Sequence, residues 1–213
     1  AARDAGVELL GCASLLPGGV SSPRQQWAMA ASGANVIGEV PLSRWDHRAA
    51  DRGDPSVAER MRFGGFVQDA DKFDHLHFAI SAAEANAMDP QQRLLLERGY
   101  EALHDGGMQR ASLAGSETGI FVGVTYMDFA QVLLSSPLGK SVYAATGTGH
   151  PVASSRLSFV LGLQGPCVSY DTACSSTLVA THSAMRAVQL GECRAGMIAG
   201  VSRMLLPTSS QLV

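Results

Sequence analysis

Cys167-Val168-Ser169-Tyr170-Asp171-Thr172-Ala173-Cys174-Ser175-Ser176-Thr177 is the stretch around which the rest of the sequence is organised. Cys167 to Asp171 reads as a short strand, the residues after it as a sharp turn, and Cys174 to Leu190 as an Ala-rich helix. Cys174 therefore falls at or beside the first turn of a helix, where unpaired backbone N–H groups and the helix dipole favour a thiolate. Its neighbours Ala173, Ser175 and Ser176 are small and leave room for a bulky acyl group, and its own N–H is placed to donate to a developing oxyanion. For a cysteine taken alone, the plainer reading is a small buried residue beside a serine cap.

Working outward, Met197 to Val201 and Thr118 to Val124 (TGIFVGV) both read as buried strands. Helical stretches are expected from about Tyr126 to Leu134, ending near Pro137, and from Val152 to Leu161. The clearest helix start is Asp89: Asp caps, Pro90 suits the first helical position, and Gln92 stands where a capping box needs it. That helix runs to Asp105, with Leu96, Tyr100 and Leu103 as a core stripe and Gly106-Gly107 as the stop. Such alternation predicts an α/β sheet covered by helices. Val7 to Cys12, closed by Pro17-Gly18-Gly19, is expected to be an opening strand. Between about Ser21 and Ile80 the Pro and Gly residues, Gly53 and Pro55 among them, predict a long ordered excursion anchored by Trp27, Trp45, Phe63, Phe66, Phe73 and Phe78.

Composition narrows the function. The 213 residues are 46% hydrophobic and 16% charged, enough for a sizeable core and against disorder. A net charge of −3 with no basic run gives no electrostatic support for nucleic acid or an anionic membrane. No apolar stretch reaches the roughly 18 residues of a membrane span, and the start lacks a signal-peptide layout. Cys12, Cys167, Cys174 and Cys193 are too sparse for a disulfide scaffold and make no CxxC pair, which predicts reduced thiols in a cytosolic or stromal compartment. Ala1 and Val213 read as the ends of a fragment.

A thiol nucleophile usually works with a histidine, and the chain has six: His47, His75, His77, His104, His150 and His182. His182 follows Cys174 by eight residues, roughly 12 Å along a helix, out of hydrogen-bond reach; it reads as a core-edge residue. His75 and His77 flank Leu76 without a third ligand in register, which favours packing over metal. The other three read as structural or solvated. Gly147-Thr148-Gly149 begins a dinucleotide fingerprint that Val152 breaks, and no GxSxG, Walker or HExxH motif occurs.

Several motifs together resemble the N-terminal half of a β-ketoacyl synthase, the condensing domain of polyketide and fatty acid synthases. They are Gly11-Cys12-Ala13 with Pro17-Gly18-Gly19, then Pro41-Leu42-Ser43-Arg44-Trp45-Asp46, then Phe73-Asp74, Ile80-Ser81 and Glu84-Ala85. Met88-Asp89-Pro90-Gln91-Gln92-Arg93-Leu94-Leu95-Leu96-Glu97 is a long, specific match, Asp171 to Ser176 is similar to the nucleophile motif, and Gly191-Glu192-Cys193 leads out of it. The likeness covers nearly the whole chain. Leu15, His77, Tyr100, Ser155, Tyr170 and Thr177 depart from the pattern, and Tyr170 bears on the shape of the acyl pocket.

The resemblance implies a thiolase-like layered α/β fold of which residues 1–213 are a truncated N-terminal region, with a long irregular insertion after the first strand and no second domain. It implies Cys174 as the catalytic acyl acceptor, a homodimer, and decarboxylative condensation with a malonyl thioester. Substrates would be carried on the phosphopantetheine of an acyl carrier protein, with no tightly bound cofactor and no metal. The family's two assisting histidines come from motifs beyond Val213, so none of the six histidines takes that role. The alternatives are an acyl-CoA-primed condensing enzyme of the same fold, a non-catalytic interaction module derived from a ketosynthase, and an unrelated α/β domain with a buried cysteine.

Overall fold

A computed structural model describes residues 6–46, 59 and 61–207. His47, Gly53 and Pro55 lie outside the described residues, as do both chain ends. The chain divides into two compact units, one of residues 1–12 and 71–202, the other of residues 13–70 and 203–213.

The larger unit is built on a parallel three-stranded sheet. Its strands are β3 (Thr118–Val124), β4 (Cys167–Tyr170) and β5 (Ala195–Val201), in the order β4-β3-β5, with Ile120 opposite Cys167 and Met197. Every residue of the central β3 is buried, as the unbroken TGIFVGV run of a strand covered on both faces requires. Helix α3 (Pro90–Asp105) and helix α7 (His150–Leu161) cover one face. There Ile120, Val122 and Val124 meet Leu95, Leu96, Leu103, Ala153, Leu157 and Leu161 in the main core. Helix α8 (Ser176–Leu190) covers the other face, where Phe121 meets Ala180, Ala184, Ala187 and Cys193.

The short helices α2 (Ala82–Ala87), α4 (Arg110–Leu113), α5 (Asp128–Leu134) and α6 (Ala144–Thr148) complete this unit. A polar knot ties several of them together. Arg156 on α7 is 8% exposed; its Nε donates to Gln92 at 2.7 Å, Nη1 to Glu84 at 2.5 Å, and Nη2 to the Thr146 carbonyl at 3.3 Å. Gln92 spends its amide on the Thr146 and Gly147 carbonyls. The expected capping box therefore does not form: the Asp89 carboxylate accepts from the Gln91 N–H and side-chain amide, and Gln92 is drawn inward by Arg156, a partner 64 residues away. Within the core stripe Leu96 and Leu103 are buried and Tyr100 is half-buried, while the buried Gln91, Gln92, Leu95 and Gly99 widen the covered face.

Val7 to Cys12 forms no strand: its described residues pair with no other, and Leu9 is 80% exposed. An extended apolar segment becomes a strand only where a sheet edge is offered. Gly11 instead seats this segment against the α3 terminus, where a Cβ would collide with Ala102 and Gly106 backbone, and Asp105 accepts the Cys12 N–H at 2.9 Å.

The smaller unit holds helix α1 (Pro23–Ser32) and a two-residue antiparallel pair, β1 (Gly38–Glu39) with β2 (Phe63–Gly64). Ser22 caps α1 through Gln25 N–H, and Gly33 closes it in the left-handed conformation that a helix end favours. Val20, Val40, Met61 and Ala70 are its buried apolar residues. Trp27, expected as an anchor, is 77% exposed, because none of the residues of α1 is buried. Phe63 is likewise exposed, with the Arg62 guanidinium 5.2 Å over its ring.

Candidate active site at the turn between β4 and α8

The strand β4 ends at Tyr170 and α8 begins at Ser176, so Cys174 stands in the turn, two residues ahead of the helix, with an exposed free thiol. The turn is held by side-chain hydrogen bonds from within. Asp171 Oδ1 accepts the Ala173 N–H at 3.2 Å, and Ser175 Oγ donates to the Thr172 carbonyl at 2.8 Å. Ser176 Oγ accepts the Thr172 N–H at 2.8 Å and donates to the Ala173 carbonyl at 2.7 Å. Ser, Thr and Asp make such local bonds readily, which is why they crowd this segment.

Ala173 has φ of 55°, in the left-handed region. For a residue with a Cβ this costs about 1 kcal/mol or more and persists where the surroundings over-determine it. The left-handed residue stands immediately before Cys174, in the turn that follows the end of β4. Two glycines seat the start of α8 beneath it. A Cβ on Gly123 of β3 would lie 2.7 Å from the Thr177 N and 3.0 Å from Ser176 Cβ, and one on Gly200 of β5 would collide with the Thr177 hydroxyl. The sequence motif does not point to these glycines; they sit 51 and 26 positions from Cys174. The partner strand β4 is joined to α7 through Ser169 Oγ, which donates to the buried Ser154 hydroxyl at 2.9 Å.

The described histidines are not gathered around the cysteine. His75 Nδ1 lies 2.7 Å from the Ile80 carbonyl, and His77 stands edge-on to Phe78 and Tyr100, each ring centroid 4.9 Å away. His104 is 6.4 Å from Tyr100, and His150 at the start of α7 is half-buried with no hydrogen-bond partner for Nε2 among the described residues. His182 is exposed on α8 rather than at the core edge, because the alanines at 180, 184 and 187 take the buried side. His77 thus packs as a ring, edge-on to both Phe78 and Tyr100. No group of three His, Cys, Asp or Glu residues suited to a metal occurs among the described residues.

The other three cysteines differ in exposure. Cys12 and Cys167 are exposed free thiols, and only Cys193 is buried. Burial pushes the Cys193 thiol up from its ordinary pKa, a hydrogen bond with the Gly119 backbone opposing it, so this sulfur stays protonated. Glu97 on α3 is also raised by burial, partly offset by a hydrogen bond from the Asp74 backbone. Tyr170 packs against the Phe121 and alanine cluster. The turn thus presents one accessible sulfur beside a helix N-terminus, on a rigid support, with small neighbours: an arrangement suited to covalent capture of an acyl group.

Comparison with known proteins gives the same direction. The family described as "Beta-ketoacyl synthase, N-terminal domain" matches residues 4–212. "Polyketide synthase GfsE" of Streptomyces halstedii is 43% identical over 208 residues, which are 97% of this chain and 6% of that protein. "Pikromycin polyketide synthase component PikAII" of Streptomyces venezuelae is 42% identical over 209 residues, with the same coverage of 97% and 6%. Among solved structures, the ketosynthase from module 6 of the bacillaene synthase of Bacillus subtilis 168 superposes with a TM-score of 0.80 at 33% identity, over 93% of this chain and 32% of that one. The oxazolomycin ketosynthase domain OzmH KS7 of Streptomyces albus superposes with a TM-score of 0.84 at 31% identity, over 96% of this chain and 35% of that one. The chain therefore spans about a third of the ketosynthases it matches and a small part of the polyketide synthases.

Proposed function

The chain belongs to the β-ketoacyl synthase family, by its N-terminal domain and with that family's thiolase-like α/β fold, and from this premise we propose that it supplies the acyl-accepting cysteine of a polyketide ketosynthase. The observation that carries the proposal is the exposed Cys174 thiol on a clamped turn between β4 and α8, within the Asp171 to Ser176 motif.

In the proposed reaction the Cys174 thiolate attacks the thioester carbonyl of an acyl chain on a carrier protein's phosphopantetheine. The Cys174 N–H donates to the oxyanion, and the tetrahedral adduct collapses with loss of the carrier thiol, leaving the acyl group on sulfur. A malonyl-carrier thioester then loses carbon dioxide, and its carbanion attacks the acyl enzyme. The new carbon–carbon bond releases Cys174 and leaves a β-ketoacyl group on the carrier. Substrate binding from an acyl carrier protein, a homodimer and a cytoplasmic setting belong to the same proposal. The stromal alternative finds no support in the bacterial relatives. No helix among the described residues is long and apolar enough to cross a membrane.

We read residues 1–213 as the N-terminal region of one ketosynthase domain. Exposed apolar side chains support this reading: Phe159 and Val142 are each 87% exposed and Leu178 is 73% exposed, as expected where further chain packs. The experiment is incubation with an acyl N-acetylcysteamine thioester followed by peptide mapping. Mass addition at Cys174, lost in Cys174→Ala, is expected. A folded sample acylated equally in Cys174→Ala overturns the assignment.

A further inference from the structure

Ser176 is the one member of the turn's clamps that is shut away from solvent, at 4% exposure, whereas Ser175 and Asp171 bond back from the exposed side. Its hydroxyl reaches both peptide groups that flank the Thr172–Ala173 link, accepting from Thr172 N–H at 2.8 Å and donating at 2.7 Å to the Ala173 carbonyl, which the Ser176 N–H also reaches at 3.1 Å. That carbonyl belongs to the residue held at φ of 55°, immediately before Cys174. Rotation of Ala173 back to an ordinary conformation would break the Ser176 bond and swing the Cys174 N–H and Sγ together. Beneath it, Gly123 leaves no room for Ser176 to retreat, since a Cβ there would already stand 3.0 Å from the serine's own.

We propose that Ser176 is a positioning residue of the acyl-transfer site: its buried hydroxyl holds Ala173 in the left-handed conformation and so fixes where the Cys174 N–H and sulfur point. This rests on reading Cys174 as the acyl acceptor. Acyl transfer needs the oxyanion donor and the sulfur aligned together, while alkylation by iodoacetamide needs only an accessible sulfur. Loss of the hydroxyl therefore affects the two reactions unequally. A glycine at 173 adopts positive φ without the Cβ penalty, so it removes the cost that the Ser176 bond offsets.

The test compares the full chain with Ser176→Ala, Ser175→Ala and the double variant Ser176→Ala/Ala173→Gly. Acyl transfer to Cys174 from an acyl N-acetylcysteamine thioester, iodoacetamide alkylation of Cys174, and hydrogen exchange of the Thr172 amide are measured. In Ser176→Ala we expect acyl transfer to fall about 10-fold to 100-fold, alkylation to stay within about 2-fold because the sulfur remains exposed, and Thr172 exchange to accelerate. Ser175→Ala should change acyl transfer far less, and the double variant should recover most of the loss. Wild-type acyl transfer in Ser176→Ala, or a loss that Ala173→Gly does not restore, overturns the proposal. If wild type itself is not acylated, the acyl-acceptor reading fails separately, and unchanged Thr172 exchange in Ser176→Ala overturns the positioning role by itself. Should Ser176→Ala not fold, recovery of folding and acylation in the double variant supports the proposal, and failure of both variants counts against it.

Discussion

The two faces of the sheet are packed on opposite plans. Against α3 and α7, β3 presents Ile120, Val122 and Val124 to leucines, with Met88 and Met197 filling the remaining space. Against α8 it presents Phe121 and glycines to three alanines. Bulky branched residues hold α3 and α7 at ordinary side-chain distance and carry most of the apolar burial. Alanine and glycine let α8 come down on the strands, so that Gly123 meets its first backbone turn. The thick face provides stability, and the thin face provides the fixed placement of a helix start, just ahead of which Cys174 stands.

That contrast predicts different responses to substitution. Leu157→Ala, at a residue with no exposed surface in the leucine face, should cost about 4 kcal/mol of unfolding free energy in urea titration while leaving Cys174 alkylation unchanged in the folded protein. Arg156→Met should cost about 3 kcal/mol, because it strands the Glu84 carboxylate and the Gln92 amide oxygen; a loss under 1 kcal/mol would show that the knot adds little to the helix packing. Gly123→Ala should cost only about 2 kcal/mol, yet it displaces the first turn of α8 and should slow acyl transfer to Cys174 far more than Leu157→Ala does. Equal effects of the two on acyl transfer would erase the distinction between the faces.

The smallest effect is expected at Cys193, the sulfur of the thin face. Its folded pKa is raised above the ordinary 9.0, so the native state keeps its proton longer than the unfolded chain. The contribution is fully present below that ordinary value and is lost as pH rises through the folded value. The urea midpoint of wild type should therefore fall more steeply above pH 9 than that of Cys193→Ala. A thiol-specific reagent should label Cys12, Cys167 and Cys174 in the folded protein and Cys193 only after unfolding.

Local chemistry explains which elements were legible. The β3 run, the Asp89 and Pro90 start, the Gly106 and Gly107 stop and the strand–turn–helix around Cys174 all depend on residues within a few positions of one another. Val7 to Cys12 has the apolar content of a strand but lacks a partner edge, and Gln92 has the spacing of a capping box but a stronger partner in Arg156. In both cases a contact distant in sequence, or its absence, decided the outcome. Exposure of Cys12, Cys167 and Trp27 against burial of Cys193 is of the same kind.

For the candidate site, the amino-acid order alone determined a cysteine at a strand–helix turn among small residues, and its place in a recurring motif. Tertiary structure decided what supports that turn. The Ser176 hydrogen bonds beside the left-handed Ala173 are local, but the glycine seats at 123 and 200 are brought under the turn from β3 and β5. Turn-forming preference is written in neighbouring residues, whereas the room for a helix to settle on a sheet depends on which side chains are missing from strands far away in the chain.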